Sequence, residues 1–294
     1  MTKHLLSIVR AIAFLCCIIA VSNAKETGAK IAVMETAFGK RGDASSFKDA
    51  KLAGYAAIQM HSGEPKGLKK KPLDQKLSLP IGKDPAVINS WMKESKEHDV
   101  QIISLCAGTL NKCQVWDRDR ELAMRISKQT IDACHALDVK IMLFPFFGPS
   151  KFQSDEVAFQ GVAEFLKELL PYAESKDVTI GIEAPVTTDR VLELMKLLKF
   201  PQHLKIYYDT GNLFDKEDIY KTIRQHAKQH FCEIHIKAAG HAIAGQGKID
   251  LAELAKALDD AGYDKWLVYE ANRNGKDPKS NRECIEKIAS LRAK

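Results

Sequence analysis

Ile180-Gly181-Ile182-Glu183-Ala184-Pro185, Ile206-Tyr207-Tyr208-Asp209-Thr210-Gly211-Asn212, Glu233-Ile234-His235-Ile236-Lys237 and Leu267-Val268-Tyr269-Glu270-Ala271-Asn272 are four short apolar runs, each delivering one metal-competent side chain at its C-terminal end. Two Glu, one Asp and one His so far apart in the chain meet at one point only if the runs are neighbouring parallel strands whose C-terminal ends share a face. Three carboxylates with one imidazole suit a divalent ion such as Mn, Mg, Co or Zn. A single strand-end Glu is more often a solvated or hydrogen-bonded group than a ligand. Four such groups in the same position relative to their runs argue for a shared site.

Outward from these runs, the whole chain alternates short apolar stretches with helical patterns. Toward the N-terminus the strand candidates are Lys30 to Phe38, Tyr55 to His61, Val100 to Ala107, Lys140 to Phe146 and Thr179 to Glu183. Helical patterns fill the gaps: Ser46 to Leu52 with Ser45 or Ser46 as cap, Asp84-Pro85 to His98, Asp119 to Leu137, Ser154 to Ser175 and Asp189 to Leu198. Glu217 to His230, Asp250 to Ala261 and Pro278 to Arg292 complete a set of eight strands and eight helices. Strict alternation requires parallel strands joined by crossover helices, and eight such units close into a single (β/α)8 TIM barrel. A doubly wound open sheet is the competing reading, but Phe38-Gly39-Lys40-Arg41-Gly42 lacks the glycine spacing of a phosphate-binding turn.

Residues 1–24 stand outside this pattern and read as a secretory signal peptide, which leaves 25–294 as one barrel domain. Lys3, His4 and Arg10 form a positive start, Ala11 to Val21 is apolar but too short to span a bilayer, and Ser22-Asn23-Ala24 offers a cleavage site. An uncleaved anchor and lipid attachment at Cys16 or Cys17 are the alternatives; Leu15 is larger than lipid processing normally accepts. Export implies a periplasmic or secreted protein, where phosphorylated metabolites are scarce. Two of the seven Cys lie in the leader, and Cys106, Cys113, Cys134, Cys232 and Cys284 are irregularly spaced, which is no disulfide framework, although a Cys106 to Cys113 bridge stays open. The net charge of +6 includes leader residues, and Lys69-Lys70-Lys71 lacks aromatic interleaving, so a solvated loop is favoured over a nucleic-acid surface.

With these residues in view, the chain resembles the xylose isomerase-like TIM barrels, a superfamily of sugar isomerases, ketose 3-epimerases, inosose-processing enzymes and endonuclease IV. The most specific segment is His235-Ile236-Lys237, then Gly245-Gln246-Gly247-Lys248-Ile249-Asp250, then Gly262-Tyr263-Asp264-Lys265-Trp266-Leu267-Val268-Tyr269-Glu270. The resemblance implies one divalent metal ion held by Glu183, Asp209, His235 and Glu270, with Glu183 and Glu270 also acting as the catalytic acid/base pair. It also shows departures. Asn212 stands where many members have His, Ala238 where Asp is usual, and Gln246 where Glu is common. The Asn, and the lack of an Asp-x-His after His235, argue against the three-zinc nuclease branch.

Substrate-binding candidates are His61, Asn212, Lys237 and Arg273, with Trp116 and Phe147 as an apolar wall for a sugar ring and His241 at the opening. Strand alternation turns Lys237 away from His235 unless the strand ends there. The expected function is a secreted, metal-dependent isomerase or epimerase acting on an unphosphorylated sugar, keto-sugar or cyclitol through an enediolate. A lyase or dehydratase on a keto-sugar or keto-glycoside, and a non-catalytic sugar-binding barrel, are the alternatives. The expected partner is a small-molecule carbohydrate, with no nucleic acid and no stable membrane association after leader cleavage; a homo-oligomer is allowed.

Overall fold

The computed structural model describes residues 30–62, 85–237 and 247–270, together with Arg282, Glu283, Glu286 and Ser290. Within them eight parallel strands close into a barrel in sequence order, β1 pairing with both β2 and β8. The strands are β1 (Ile31–Met34), β2 (Ala57–His61), β3 (Gln101–Cys106), β4 (Ile141–Pro145), β5 (Thr179–Glu183), β6 (Leu204–Asp209), β7 (Phe231–Ile236) and β8 (Leu267–Tyr269). The crossover helices are α1 (Ser46–Leu52), α2 (Ala86–His98), α3 (Arg120–Ala136), α4 (Glu156–Ser175), α5 (Thr188–Leu197), α7 (Ile219–His230) and α8 (Leu251–Asp260), with a one-turn helix α6 (Thr210–Leu213) directly after β6. The expected helix from Pro278 to Arg292 lies mostly outside the described residues, as does the leader.

The strands read as continuous apolar runs because both of their faces are covered. One face meets the helices in a large core that includes Val33, Ile58, Leu105, Phe144, Ile182, Tyr208 and Ile234. The other fills the barrel with Ala32, Met34, Ala57, Ile103, Leu143, Cys232 and Val268. Cys106, Cys113, Cys134 and Cys232 are all buried free thiols, so no Cys106–Cys113 bridge forms.

Three of the helix-to-strand turns use one device. Asp99, Asp138 and Asp177, equally spaced in the chain, take left-handed backbone at φ 51, 54 and 55° after α2, α3 and α4. The Val that follows each turns its amide back onto the helix: Val100 to Ser95, Val139 to Cys134 and Val178 to Ala173. This closes the helix end and aims the chain into the next strand.

Some details differ from the sequence reading. The first strand stops at Met34, and Glu35–Phe38 coil into a 3-10 turn that places Glu35 in the interior. The cap of α4 is Asp155, whose carboxylate accepts from the Ala158 amide, not Ser154. Ser45 holds the N-cap position of α1, as read from the sequence, but makes no side-chain cap bond. Among the described residues no helix is long and apolar enough to cross a membrane.

Candidate metal centre

The C-terminal ends of β5, β6, β7 and β8 bring Glu183, Asp209, His235 and Glu270 together, with one ligand atom from each lying within 4.8 Å of the other three. Parallel strands in a closed barrel make this convergence automatic once each residue sits at a strand end pointing inward. Glu183, Asp209 and His235 are buried, and Glu270, one residue beyond β8, is partly exposed. His235 Nδ1 faces Glu270 Oε2 at 3.2 Å, Glu183 Oε1 at 3.5 Å and Asp209 Oδ2 at 3.9 Å.

Each carboxylate is held by specific neighbours. Asp209 Oδ1 accepts from the amides of Gly211 and Asn212 at 2.8 Å, capping α6 and leaving Oδ2 for the cluster. The Asn212 amide donates to Asp209 Oδ2 at 2.7 Å and to Glu183 Oε1 at 3.3 Å, tying two ligands together. Lys237 follows the last residue of β7, so strand alternation no longer governs its direction. Its chain passes over Gly211, where an added Cβ would lie 2.9 Å from Lys237 Cβ. The ammonium reaches Glu270 Oε2 at 2.8 Å and Asp209 Oδ2 at 3.2 Å.

The electrostatics follow from crowding three carboxylates beside two cationic groups. Burial pushes Asp209 up to about 7, with Lys237 opposing and Glu270 and Glu183 adding to the rise. Burial also disfavours the His235 imidazolium, but Glu270 and Glu183 outweigh it and push that group up to about 10. Glu270 is driven the other way: burial would raise it, yet His235 and Lys237 hold it well below the usual carboxylate range. Lys237 keeps its proton because Asp209, Glu270 and Glu183 more than offset its burial.

The donor set fits a divalent ion. It offers hard oxygens and one imidazole. His235 Nδ1 is buried and makes no well-aligned hydrogen bond among the described residues, although three carboxylate oxygens surround it. Three carboxylates, Lys237 and a doubly charged ion would sum to neutrality, which lowers the cost of so much buried charge.

Of the other candidates, His61 ends β2 and is almost fully buried, its Nδ1 3.6 Å from Glu35 Oε1. Its ring lies across Gly108, so close that an added Cβ there would meet Cδ2 at 2.7 Å. Trp116 packs against Gly161 of α4, and Phe147 is half-buried after β4. Arg273 and His241 lie outside the described residues.

Several residues that shape this end of the barrel were not singled out from sequence. Glu35 is wholly buried and accepts from the amides of Gly42 at 2.5 Å, His61 at 2.6 Å and Asp43 at 3.3 Å, so one carboxylate fixes both the loop after β1 and the end of β2. Below the cluster lies a polar floor of Gln59, Ser104, Tyr207 and Glu233. Two register steps build it. Ile58 pairs with Ile102 but Gln59 with Ser104, and Ile206 pairs with Phe231 but Tyr207 with Glu233. The extra residues, Ile103 and Cys232, rephase β3 and β7 so that Ser104 and Glu233 oppose Gln59 and Tyr207. The readable signal was a lone polar residue inside an apolar run, as in Ala57-Ile58-Gln59-Met60 and Phe231-Cys232-Glu233-Ile234.

Fold and site together define a β/α barrel of the kind that gathers polar groups at the C-terminal ends of its strands. The chain belongs to the xylose isomerase-like TIM barrel family, whose model it matches over residues 47–293. It is similar to an inosose dehydratase from Geobacillus thermodenitrificans, 28% identical over 116 residues that cover 32% of this chain and only 38% of that protein. Solved structures of an L-ribulose 3-epimerase (16% identity, TM-score 0.69, covering 90% of this chain and 96% of that one) and of the 3-keto-D-glucoside 4-epimerase from E. coli (16%, 0.68, 89% and 99%) share the fold.

Proposed function

We propose that this protein is a secreted, metal-dependent isomerase or epimerase acting on an unphosphorylated sugar, keto-sugar or cyclitol. The observation that carries this reading is the meeting of two Glu carboxylates, from β5 and from beyond β8, with Asp209 and His235 at one point. Binding alone would not call for a carboxylate approaching from each of two separated strands. Glu183, Asp209, His235 and Glu270 would hold the ion. Bound there, it would supply Lewis acidity that polarises a substrate carbonyl and stabilises the enediolate formed by loss of the neighbouring proton.

The chain's own groups divide the proton work unequally. Glu183 accepts a longer bond, from Asn212 at 3.3 Å, and lies 3.5 Å from His235 Nδ1, whereas Glu270 is engaged by Lys237 at 2.8 Å and lies closer to His235, at 3.2 Å. Glu183 is therefore the freer carboxylate and takes the substrate proton. In the Glu270–Lys237 pair, Lys237 offers a donor to a substrate oxygen and Glu270 exchanges the second proton.

A dehydratase is the second reading, favoured by the inosose dehydratase relative: the same enediolate expels a hydroxyl from the next carbon instead of being reprotonated. Incubation of ion-loaded protein with ketoses, 3-keto-glycosides and inososes in heavy water tests both. Deuterium beside the carbonyl without loss of water supports isomerisation or epimerisation, and loss of water supports the dehydratase. No exchange and no product across the panel counts against an enolising enzyme.

A further inference from the structure

The polar floor beneath the cluster forms one chain of hydrogen bonds whose directions follow from the acceptor at its base. Ser104 Oγ and Tyr207 Oη both approach Glu233 Oε2, at 2.7 and 2.6 Å. Each hydroxyl has one hydrogen, and Glu233 Oε2, when it carries no proton, accepts from both, so both hydrogens are spent there. Both hydroxyls must then accept from Gln59 Nε2, which lies 2.9 and 2.8 Å away. The order is the same whether Glu233 is charged or carries a proton on Oε1, the oxygen with no hydrogen-bond partner among the described residues. With its amide nitrogen committed downward, Gln59 turns Oε1 upward, 2.9 Å from His235 Nε2. An amide oxygen only accepts, so Nε2 must carry the hydrogen. Tyr207 also packs its ring against the imidazole, with centroids 4.5 Å apart, which limits rotation.

We propose that Gln59 is a positioning residue that keeps a proton on His235 Nε2 and so leaves Nδ1 as the nitrogen offered to an ion held among Glu183, Asp209 and Glu270, with Ser104, Tyr207 and Glu233 preventing the amide from flipping. The inference rests on the metal-site reading above. It assigns a purpose to the two register steps in β3 and β7, because without them neither Ser104 nor Glu233 would lie in this layer. The partner of the second nitrogen decides which tautomer a ligating imidazole adopts, and removing such partners weakens metal binding by about ten- to a hundredfold.

Mn2+ affinity, read from free Mn2+ by electron paramagnetic resonance, and the histidine nitrogens of Zn2+-loaded [15N]His protein, read by NMR, together test this. In the parent, His235 shows Nδ1 on the ion and a slowly exchanging proton on Nε2. Gln59→Leu weakens Mn2+ binding about ten- to a hundredfold and loses the protected Nε2 proton. Tyr207→Phe keeps the ring and gives a smaller loss in the same direction, which decides the matter should Gln59→Leu fail to fold. A folded Gln59→Leu protein with parental affinity, or a parent with its proton on Nδ1, overturns the proposal while leaving the metal site standing. A parent that binds neither ion removes the metal site and the proposal together.

Discussion

Loading the site with a divalent ion should expel a proton even in mildly alkaline solution. In the ion-free protein the carboxylates around His235 push its imidazolium up to about 10, against an ordinary value of 6.5. A metal needs the Nδ1 lone pair, so binding must strip that proton. At pH 8 an unperturbed histidine would be only about 3% protonated and would release almost nothing, whereas His235 would release about one full proton. Asp209, pushed up to about 7, adds only about a tenth at that pH. The sign follows directly: protons compete with the ion, so affinity rises about tenfold per pH unit from neutrality until His235 deprotonates on its own. The assay is isothermal titration of Mn2+ at pH 8 in two buffers of different ionisation enthalpy, with His235→Ala as control. A release near zero in the parent, or the same release from His235→Ala, would refute the reasoning.

Glu183→Gln and Glu270→Gln should each retain part of the Mn2+ affinity yet lose about a hundredfold or more in turnover on whichever substrate shows exchange; a fully loaded variant with near-parental turnover would show that Glu to be a ligand only. Gly108→Ala must displace the His61 ring, since its Cβ would sit 2.7 Å from Cδ2, and should cost about 1–3 kcal/mol in denaturant melts, with KM rising more than kcat falls if His61 contacts substrate. Glu35 is pushed up to about 7 by its burial, so its contribution to stability is complete below the unfolded value of 4.5 and is lost as pH rises through 7. Relative to Glu35→Gln, the parent should therefore lose about 3 kcal/mol between pH 4.5 and pH 8, and parallel stability curves for the two proteins would contradict this.

The barrel and the four clustered residues were readable because they depend on coarse regularities: apolar run length, alternation with helices, and a polar residue where each run stops. What stayed hidden depended on departures from regularity. The apolar pattern around Met34 continues through Phe38, so nothing marked Glu35 as the residue at which the strand ends and the chain turns inward. Lys237 was readable only conditionally, because period-two alternation points it outward until the strand is seen to end at Ile236. Gln59 and Glu233 are polar residues in apolar surroundings, a signal the sequence carries, but their shared layer could not be deduced while the extra residues Ile103 and Cys232 were indistinguishable from ordinary strand positions. Asn212 reads from its chemistry as a substrate-binding group, and the structure adds what the sequence could not show, that its side-chain amide ties Asp209 to Glu183.

The two register steps also constrain how such a site can arise. Shifting a strand by one residue exchanges its two faces, so a barrel without the extra residue in β3 would hold the equivalent of Ser104 against the helices, where no side-chain replacement could bring it under the imidazole. The same applies to Glu233 in β7. Reaching this floor from an unstepped barrel therefore takes two single-residue insertions, each exposing a polar group inside the barrel before its partner exists. Relatives should carry both steps or neither, and counting residues between strand ends would sort them before any side chain is compared.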